Sequence, residues 1–106
     1  MSSANIISPD PNQAYINQKR NIKGYGIATL APGIGPVSSN AVAIPYLKST
    51  DALVVNYWYG GEVIGPLSYT YANQGLVNAT VTVTSAGNVG QVVAADAVYQ
   101  LRAYAE

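Results

Sequence analysis

The spacing of apolar and polar positions changes at Gly24. Beyond it, stretches of about five to ten residues rich in Val, Ile, Tyr and Thr alternate with clusters of Gly, Pro, Asn and Ser, the rhythm of strands and turns. The pattern predicts strands over residues 25–31, 37–46, 52–59, 63–71, 78–85 and 91–104. Pro32-Gly33 ends the first, and Pro45 marks an edge or an interruption in the second. Ser49-Thr50-Asp51 leads into the third, which Gly60-Gly61 closes; Gly65-Pro66 breaks the fourth, which Asn73-Gln74-Gly75 ends. The clearest alternation is Thr80-Val81-Thr82-Val83-Thr84, where a period of two sends the valines to one face and predicts Val81 and Val83 in the core. In the last strand Tyr99 and Leu101 share a parity opposite to Val98, Gln100 and Arg102, so one face is wetter.

Residues 1–23 have a different character, being rich in Asn, Gln, Ser and Pro and holding Lys19, Arg20 and Lys23. This predicts an extended N-terminal arm. Asp10 and Pro11 suit an N-cap and first helical position, and Gly24 could stop a short helix through Tyr15 and Ile22. Such an arm either lies on a neighbouring surface or folds back over its own domain. The expected fold class is thus all-β: a small antiparallel β-sandwich, jelly-roll-like or Ig-like, over residues 24–106, preceded by the arm. Strands and turn signals at this spacing are typical of sandwiches and barrels.

Composition narrows the chemistry. The 106 residues suit one domain, with 49% apolar and only 9% charged side chains. Five basic and five acidic residues cancel, which leaves no field to draw nucleic acid or anionic lipid. No membrane span is expected, and Met1-Ser2-Ser3-Ala4-Asn5 has neither the basic start nor the apolar run of a signal peptide, so a soluble, unprocessed chain is expected. Asn78-Ala79-Thr80 matches an N-glycosylation acceptor, a tripeptide that also arises by chance. Gly24 and Gly26 lack the third glycine and the helix of a phosphate-binding turn, and read as a kink at a strand start.

Histidine and cysteine are both absent, which removes the usual general base, the Ser/His and Cys/His nucleophiles, and the commonest metal ligands. Of the carboxylates, Asp10 can cap, Asp51 and Glu62 sit beside turn residues, Asp96 occupies a bulge or surface position, and Glu106 is the last residue. No calcium-loop run of aspartates is present. The expectation is therefore no enzyme, no cofactor and no metal.

The aromatic content changes the picture most: nine tyrosines, one tryptophan and no phenylalanine. A dry core is served as well by phenylalanine, whereas tyrosine keeps one end wet. Asn56-Tyr57-Trp58-Tyr59 and Tyr69-Thr70-Tyr71 are the densest clusters. They suit a protein interface or a sugar-stacking platform, and ordinary strand propensity also favours such rings.

The runs Gly26-Ile27-Ala28-Thr29-Leu30, Gly35-Pro36-Val37-Ser38-Ser39-Asn40-Ala41-Val42 and Ser49-Thr50-Asp51-Ala52-Leu53-Val54-Val55 follow one another in a familiar order. With Gly65-Pro66-Leu67-Ser68-Tyr69, Thr80-Val81-Thr82-Val83-Thr84-Ser85-Ala86 and Val98-Tyr99-Gln100-Leu101, they give residues 24–104 a pattern that resembles small β-sandwich modules of bacteriophage virions. These occur as head decoration or cement proteins and as terminal pieces of tail-associated proteins. The resemblance implies a virion location, on the capsid surface rather than the tail, with a major capsid or other virion protein as partner. It also implies self-association, commonly as a homotrimer over junctions between shell subunits. The arm would grip the shell or an adjacent copy, with Lys19, Arg20 and Lys23 toward acidic surface. Tyr15, Lys19, Arg20, Lys23, Tyr57, Trp58, Tyr59, Tyr69 and Tyr71 are the candidate partner contacts. The rival expectation is a tail-associated receptor- or glycan-binding module using Tyr57, Trp58, Tyr59 and Tyr71.

Overall fold

A computed structural model describes residues 22–86 and 91–105. The elements are strands throughout: β1 (Ile22–Leu30), β2 (Gly33–Ile34), β3 (Val42–Ala43), β4 (Ala52–Gly60), β5 (Val63–Ile64), β6 (Leu67–Ala72), β7 (Thr80–Ser85), β8 (Gln91–Val92) and β9 (Ala97–Tyr104). They form three small antiparallel sheets, ordered β1-β9-β4, β2-β8-β5 and β3-β7-β6. The same rule generates all three. The chain is three ribbons, β1 to β3, β4 to β6 and β7 to β9, and the third lies between the other two in every sheet. Short Gly- and Pro-containing breaks divide the first two ribbons at matching places, Pro32 to Pro36 and Gly60 to Pro66. At Gly60 (φ 101°) and Gly61 the second ribbon presses against the loop between β8 and β9. A Cβ on Gly60 would meet the Asp96 carbonyl oxygen at 1.8 Å, so only glycine fits.

Side-chain parity then builds the core. Gly24, Gly26, Ala28 and Leu30 of β1 stand opposite Ala103, Leu101, Tyr99 and Ala97 of β9, and Leu53, Val55 and Tyr57 of β4 continue that face. Val42, Ile44, Leu47, Ala79, Val81 and Val83 join the same buried cluster. The small residues of β1 let it come down on β3 and β7. At Gly26 a Cβ would lie 2.2 Å from Val42 Cγ1. No packing of β4 on β6 matches this among the described residues, so one side of the core is closed by glycine and alanine and the other is left to larger side chains.

Polar groups inside the fold are satisfied locally. Asp51, whose side chain is 1% exposed, pairs with Lys23 Nζ at 2.6 Å and accepts from the Lys48 N–H at 2.8 Å. Lys23 also donates to the Tyr46 carbonyl, which ties the turn before β4 to β1. Ser85 accepts from the Val37 N–H and donates to the Gly35 carbonyl.

The expected strands 25–31, 52–59, 63–71 and 78–85 correspond to β1, β4, β5 with β6, and β7. Val81 and Val83 are fully buried, as their alternation requires. Two expectations are corrected. Across 37–46 only Val42–Ala43 is strand, with one bridge from Ser38 to Thr84. Backbone bonds to residues 79–85 are made at Val37, Ser39 and Ile44, but side chains of Ser39 and Asn40 also take up backbone groups there, bonding to Val83 N–H, Thr29 N–H and Ile27 C=O, which interrupts a regular ladder. Residues 91–104 are not one strand, because Ala94 at φ 70° turns the chain around Gly61 between β8 and β9. β1 starts at Ile22, inside the stretch expected to be arm, so the short helix expected through Ile22 to Gly24 is strand at that end, while Tyr15, Lys19, Arg20 and the rest of that helix lie outside the described residues.

Candidate partner-binding surface

Parity and one bulge distribute the aromatic side chains. Along β4, Tyr57 pairs with Tyr99 and Tyr59 with Val98, so Trp58 is the extra residue of a β-bulge. Simple alternation would place Tyr57 and Tyr59 on one face; the bulge separates them. Tyr57 stays on the inner face, where its ring meets that of Tyr99 edge-on at a centroid distance of 5.6 Å. Its hydroxyl donates to the Gly60 carbonyl, which fixes the ring over the bulge. Trp58 and Tyr59 project outward, 52% and 57% exposed, with their rings edge-to-face at 5.1 Å.

Tyr69 and Tyr71 stand opposite Val83 and Val81 and therefore point to the inner side of β6. Partial burial raises the pKa of Tyr69. Tyr71 is raised by burial and then by the nearby Tyr69 and Asp51. Tyr99 is raised by burial and then by Tyr57 and Tyr69. All three remain hydroxyl donors at neutral pH. Tyr69 is close enough to influence both Tyr71 and Tyr99, and Tyr99 meets Tyr57, on the side that glycine and alanine do not close. A cleft of about 470 Å³ opens there, lined by Tyr57, Glu62, Val63 and Tyr99.

The outer face of β1-β9-β4 is a second surface, of mixed apolar and polar side chains. Tyr25, Arg102 and Val54 form one row across its three strands, followed by Ile27, Gln100 and Asn56, then Thr29, Val98 and Tyr59. Tyr25 is 54% exposed, and Arg102 is the one charged side chain in these rows.

Of the candidate contacts, Tyr57, Tyr69 and Tyr71 thus come together on the inner side with Tyr99, and Trp58 with Tyr59 at the adjacent outer rim. Lys23 is placed differently from what its neighbours in sequence suggest: it is held by Asp51 within the fold. Tyr25, Glu62, Tyr99 and Arg102 belong to these surfaces although they stand outside the sequence clusters. Parity carries a signal for Tyr25, which falls between the core-facing Gly24 and Gly26; nothing local marks Glu62. Among the described residues no group of three or more acidic residues is arranged to hold a metal ion, and no helix is long and apolar enough to cross a membrane. Comparison with family models, with curated proteins and with solved structures finds no match for this chain.

Proposed function

We propose that this chain is a non-enzymatic structural protein of a bacteriophage virion, a capsid decoration or cement protein that stabilises the assembled shell by packing against it. The observation that carries the reading is the pairing of exposed aromatic side chains with a sparsely charged surface. Tyr25, Tyr57, Trp58 and Tyr59 are each more than half exposed, with Glu62 and Arg102 as the charged side chains near them. Tyr, Trp and Arg on an apolar ground are the residue types that anchor protein interfaces. The sequence resemblance over residues 24–104 supports the same class. The fold that goes with it is a small β-sandwich, jelly-roll-like or Ig-like. The packing of β1 on β3 and β7 supports a sandwich, and the ribbon order one, three, two is what either label has to accommodate.

The mechanism is mass action. A chain that binds only the assembled, expanded shell stabilises that state by RT ln(1 + [L]/Kd), and symmetric contacts accumulate over the lattice. The partner is the major capsid protein or another virion protein, and copies cluster, with a homotrimer as the expected unit. The arm adds a grip through Tyr15, Lys19 and Arg20.

The test is sedimentation of the purified chain with assembled shells and, separately, with unassembled shell subunits. Saturable binding to shells alone supports the reading, and binding to neither refutes it. Removing residues 1–21, which leaves Ile22 and Lys23 to complete β1 and its ion pair, should abolish shell binding while the strands remain folded.

One observation favours a second reading, a tail-associated glycan-binding module: the cleft combines the ring of Tyr57 with the Glu62 carboxylate, and Trp58 stands exposed beside it. A polysaccharide that quenches or shifts Trp58 fluorescence saturably would favour this reading over the first.

A further inference from the structure

The outermost strands of an open sheet carry backbone donors and acceptors that another strand can occupy, and proteins ordinarily blunt such edges. The two edges of β1-β9-β4 are treated differently. On β1 the Asn40 side chain occupies both kinds of group, its Oδ1 accepting the Thr29 N–H at 2.9 Å and its Nδ2 donating to the Ile27 carbonyl at 3.0 Å. A foreign strand would have to displace it. On β4 the Tyr57 hydroxyl takes the Gly60 carbonyl at the strand's end, and over residues 52–57, among the described residues, no side chain does what Asn40 does and the backbone ladder is to β9 alone.

Nor does the side-chain composition of β4 discourage pairing. Its residues, Ala52-Leu53-Val54-Val55-Asn56-Tyr57-Trp58-Tyr59-Gly60, include no charge and no proline, the two common edge protectors. The bulge at Trp58 twists only the end of the strand, and residues 52–57 keep an unbroken register with β9. This is a long uncharged edge, rich in β-branched and aromatic residues, in a chain with zero net charge.

We propose that copies of this chain join through the β4 edge that the described residues leave unpaired, the β4 strand of the neighbouring copy lying antiparallel to it and extending the β1-β9-β4 sheet. A second copy is the fitting occupant because like surfaces can meet only where no like charges are brought together, and the first charge after Asp51 is Glu62, beyond the strand. The added strand would bring apolar side chains to both sides of the edge: Val54 outside, and Leu53, Val55 and Tyr57 inside, beside the open line of tyrosines. The inference deepens the self-association part of the proposed function, with a two-fold pair in place of the trimer that the resemblance implies, and does not depend on a shell.

The absence of cysteine gives a clean experiment, since a single introduced cysteine can bridge only between copies. Val54→Cys and Asn56→Cys place a thiol on exposed positions of the β4 edge. Arg102→Cys places one on the same face but on the central β9. Each is oxidised mildly and run without reductant, while light scattering measures the unaltered chain against its 11.1 kDa monomer mass. The expected result is a dimer, because one cysteine per chain bridges copies only where β4 meets β4 about a two-fold axis, and it should cross-link at one of the β4 positions and far less at Arg102→Cys. The double variant Val54→Lys with Asn56→Lys should weaken association by roughly tenfold or more, with an unchanged far-ultraviolet spectrum. A monomer at all accessible concentrations, equal cross-linking through Arg102→Cys, or an oligomer undisturbed by the two lysines would each overturn the proposal. So would a complex that forms only with a strand from a different protein. Shell sedimentation separates the two ideas. A monomer that binds shells sinks the edge contact alone, and a β4-linked oligomer that ignores shells sinks the virion role alone.

Discussion

Glycine at position 26 should be a requirement of packing, not of backbone conformation. A Cβ there lies 2.2 Å from Val42 Cγ1, more than 1 Å inside ordinary contact, so Gly26→Ala must push β1 off β3 or force Val42 off its rotamer. Overpacking of this kind costs about 1–3 kcal/mol, and relief of the strand-interior glycine returns about 0.5–1 kcal/mol, leaving a net loss of about 1–2 kcal/mol. Val42→Ala alone removes two buried methyls and leaves a cavity, a loss of about 2 kcal/mol. If the two groups compete for one space, the double variant creates room and fills it. Its loss should be about 2 kcal/mol, well short of the roughly 3–4 kcal/mol that independent sites would give. Urea unfolding followed by far-ultraviolet circular dichroism, at constant m, reads all four corners of the cycle. Additive losses would show that β1 and β3 do not meet at Gly26, and the closed side of the core would have to be redrawn.

Three further outcomes are expected. Lys23→Met should destabilise the fold by about 2–4 kcal/mol, because Asp51 is buried and loses its nearest cation, and shell binding per folded molecule should be unchanged; a stability loss below about 0.5 kcal/mol in thermal unfolding would contradict the ion pair's role. Ala94→Gly should stabilise by about 0.5–1 kcal/mol, since a left-handed backbone strains alanine by about 1–2 kcal/mol and glycine gives back part in chain entropy; a lower midpoint in urea would refute it. Stability should be flat at neutral pH and fall as pH rises past the ordinary tyrosine value of 10.0. The raised pKa values of Tyr69, Tyr71 and Tyr99 keep the folded state protonated while the unfolded chain ionises, so the loss continues until the folded values are passed. A midpoint that rises between pH 10 and 11 would reverse the assigned sign.

What was legible in the sequence followed from period and punctuation. The alternation Thr80-Val81-Thr82-Val83-Thr84 exposes its own parity, and Gly60-Gly61 and Gly65-Pro66 mark breaks that the backbone needs. The stretch 37–46 read as strand because Val37, Val42 and Ile44 are apolar, but Ser39 and Asn40 between them bond through their side chains to neighbouring backbone. Which ribbon lies in the middle is a matter of long-range pairing that no local pattern expresses. The surface was legible as a list of aromatic residues and not as an arrangement. One bulge at Trp58 puts Tyr57 and Tyr59 on opposite faces, and Tyr99 enters the cleft from a strand far along the chain. Lys23 read as one of three arm cations, whereas its partner is 28 positions away, a distance at which charge pairing is invisible in sequence.

The asymmetry of the core gives the tyrosine preference a physical reason. Had both sides of the core been closed by residues as small as Gly24, Gly26 and Ala28, the interior would have been dry to its margins and phenylalanine would have served. With β4 and β6 apart, rings on the open side have one end in the core and the other in water, where a hydroxyl is needed. The β4 backbone edge, which among the described residues pairs with β9 alone, lies on one flank of those rings. A partner strand on that edge would cover two incomplete surfaces at once, the unpaired backbone row and the wet ends of the tyrosines. Replacing Tyr57 by phenylalanine, which removes the bond to Gly60 but keeps the ring, should then cost little in the isolated fold and more in the associated state. An equal loss in both states would mean that Tyr57 serves the fold alone.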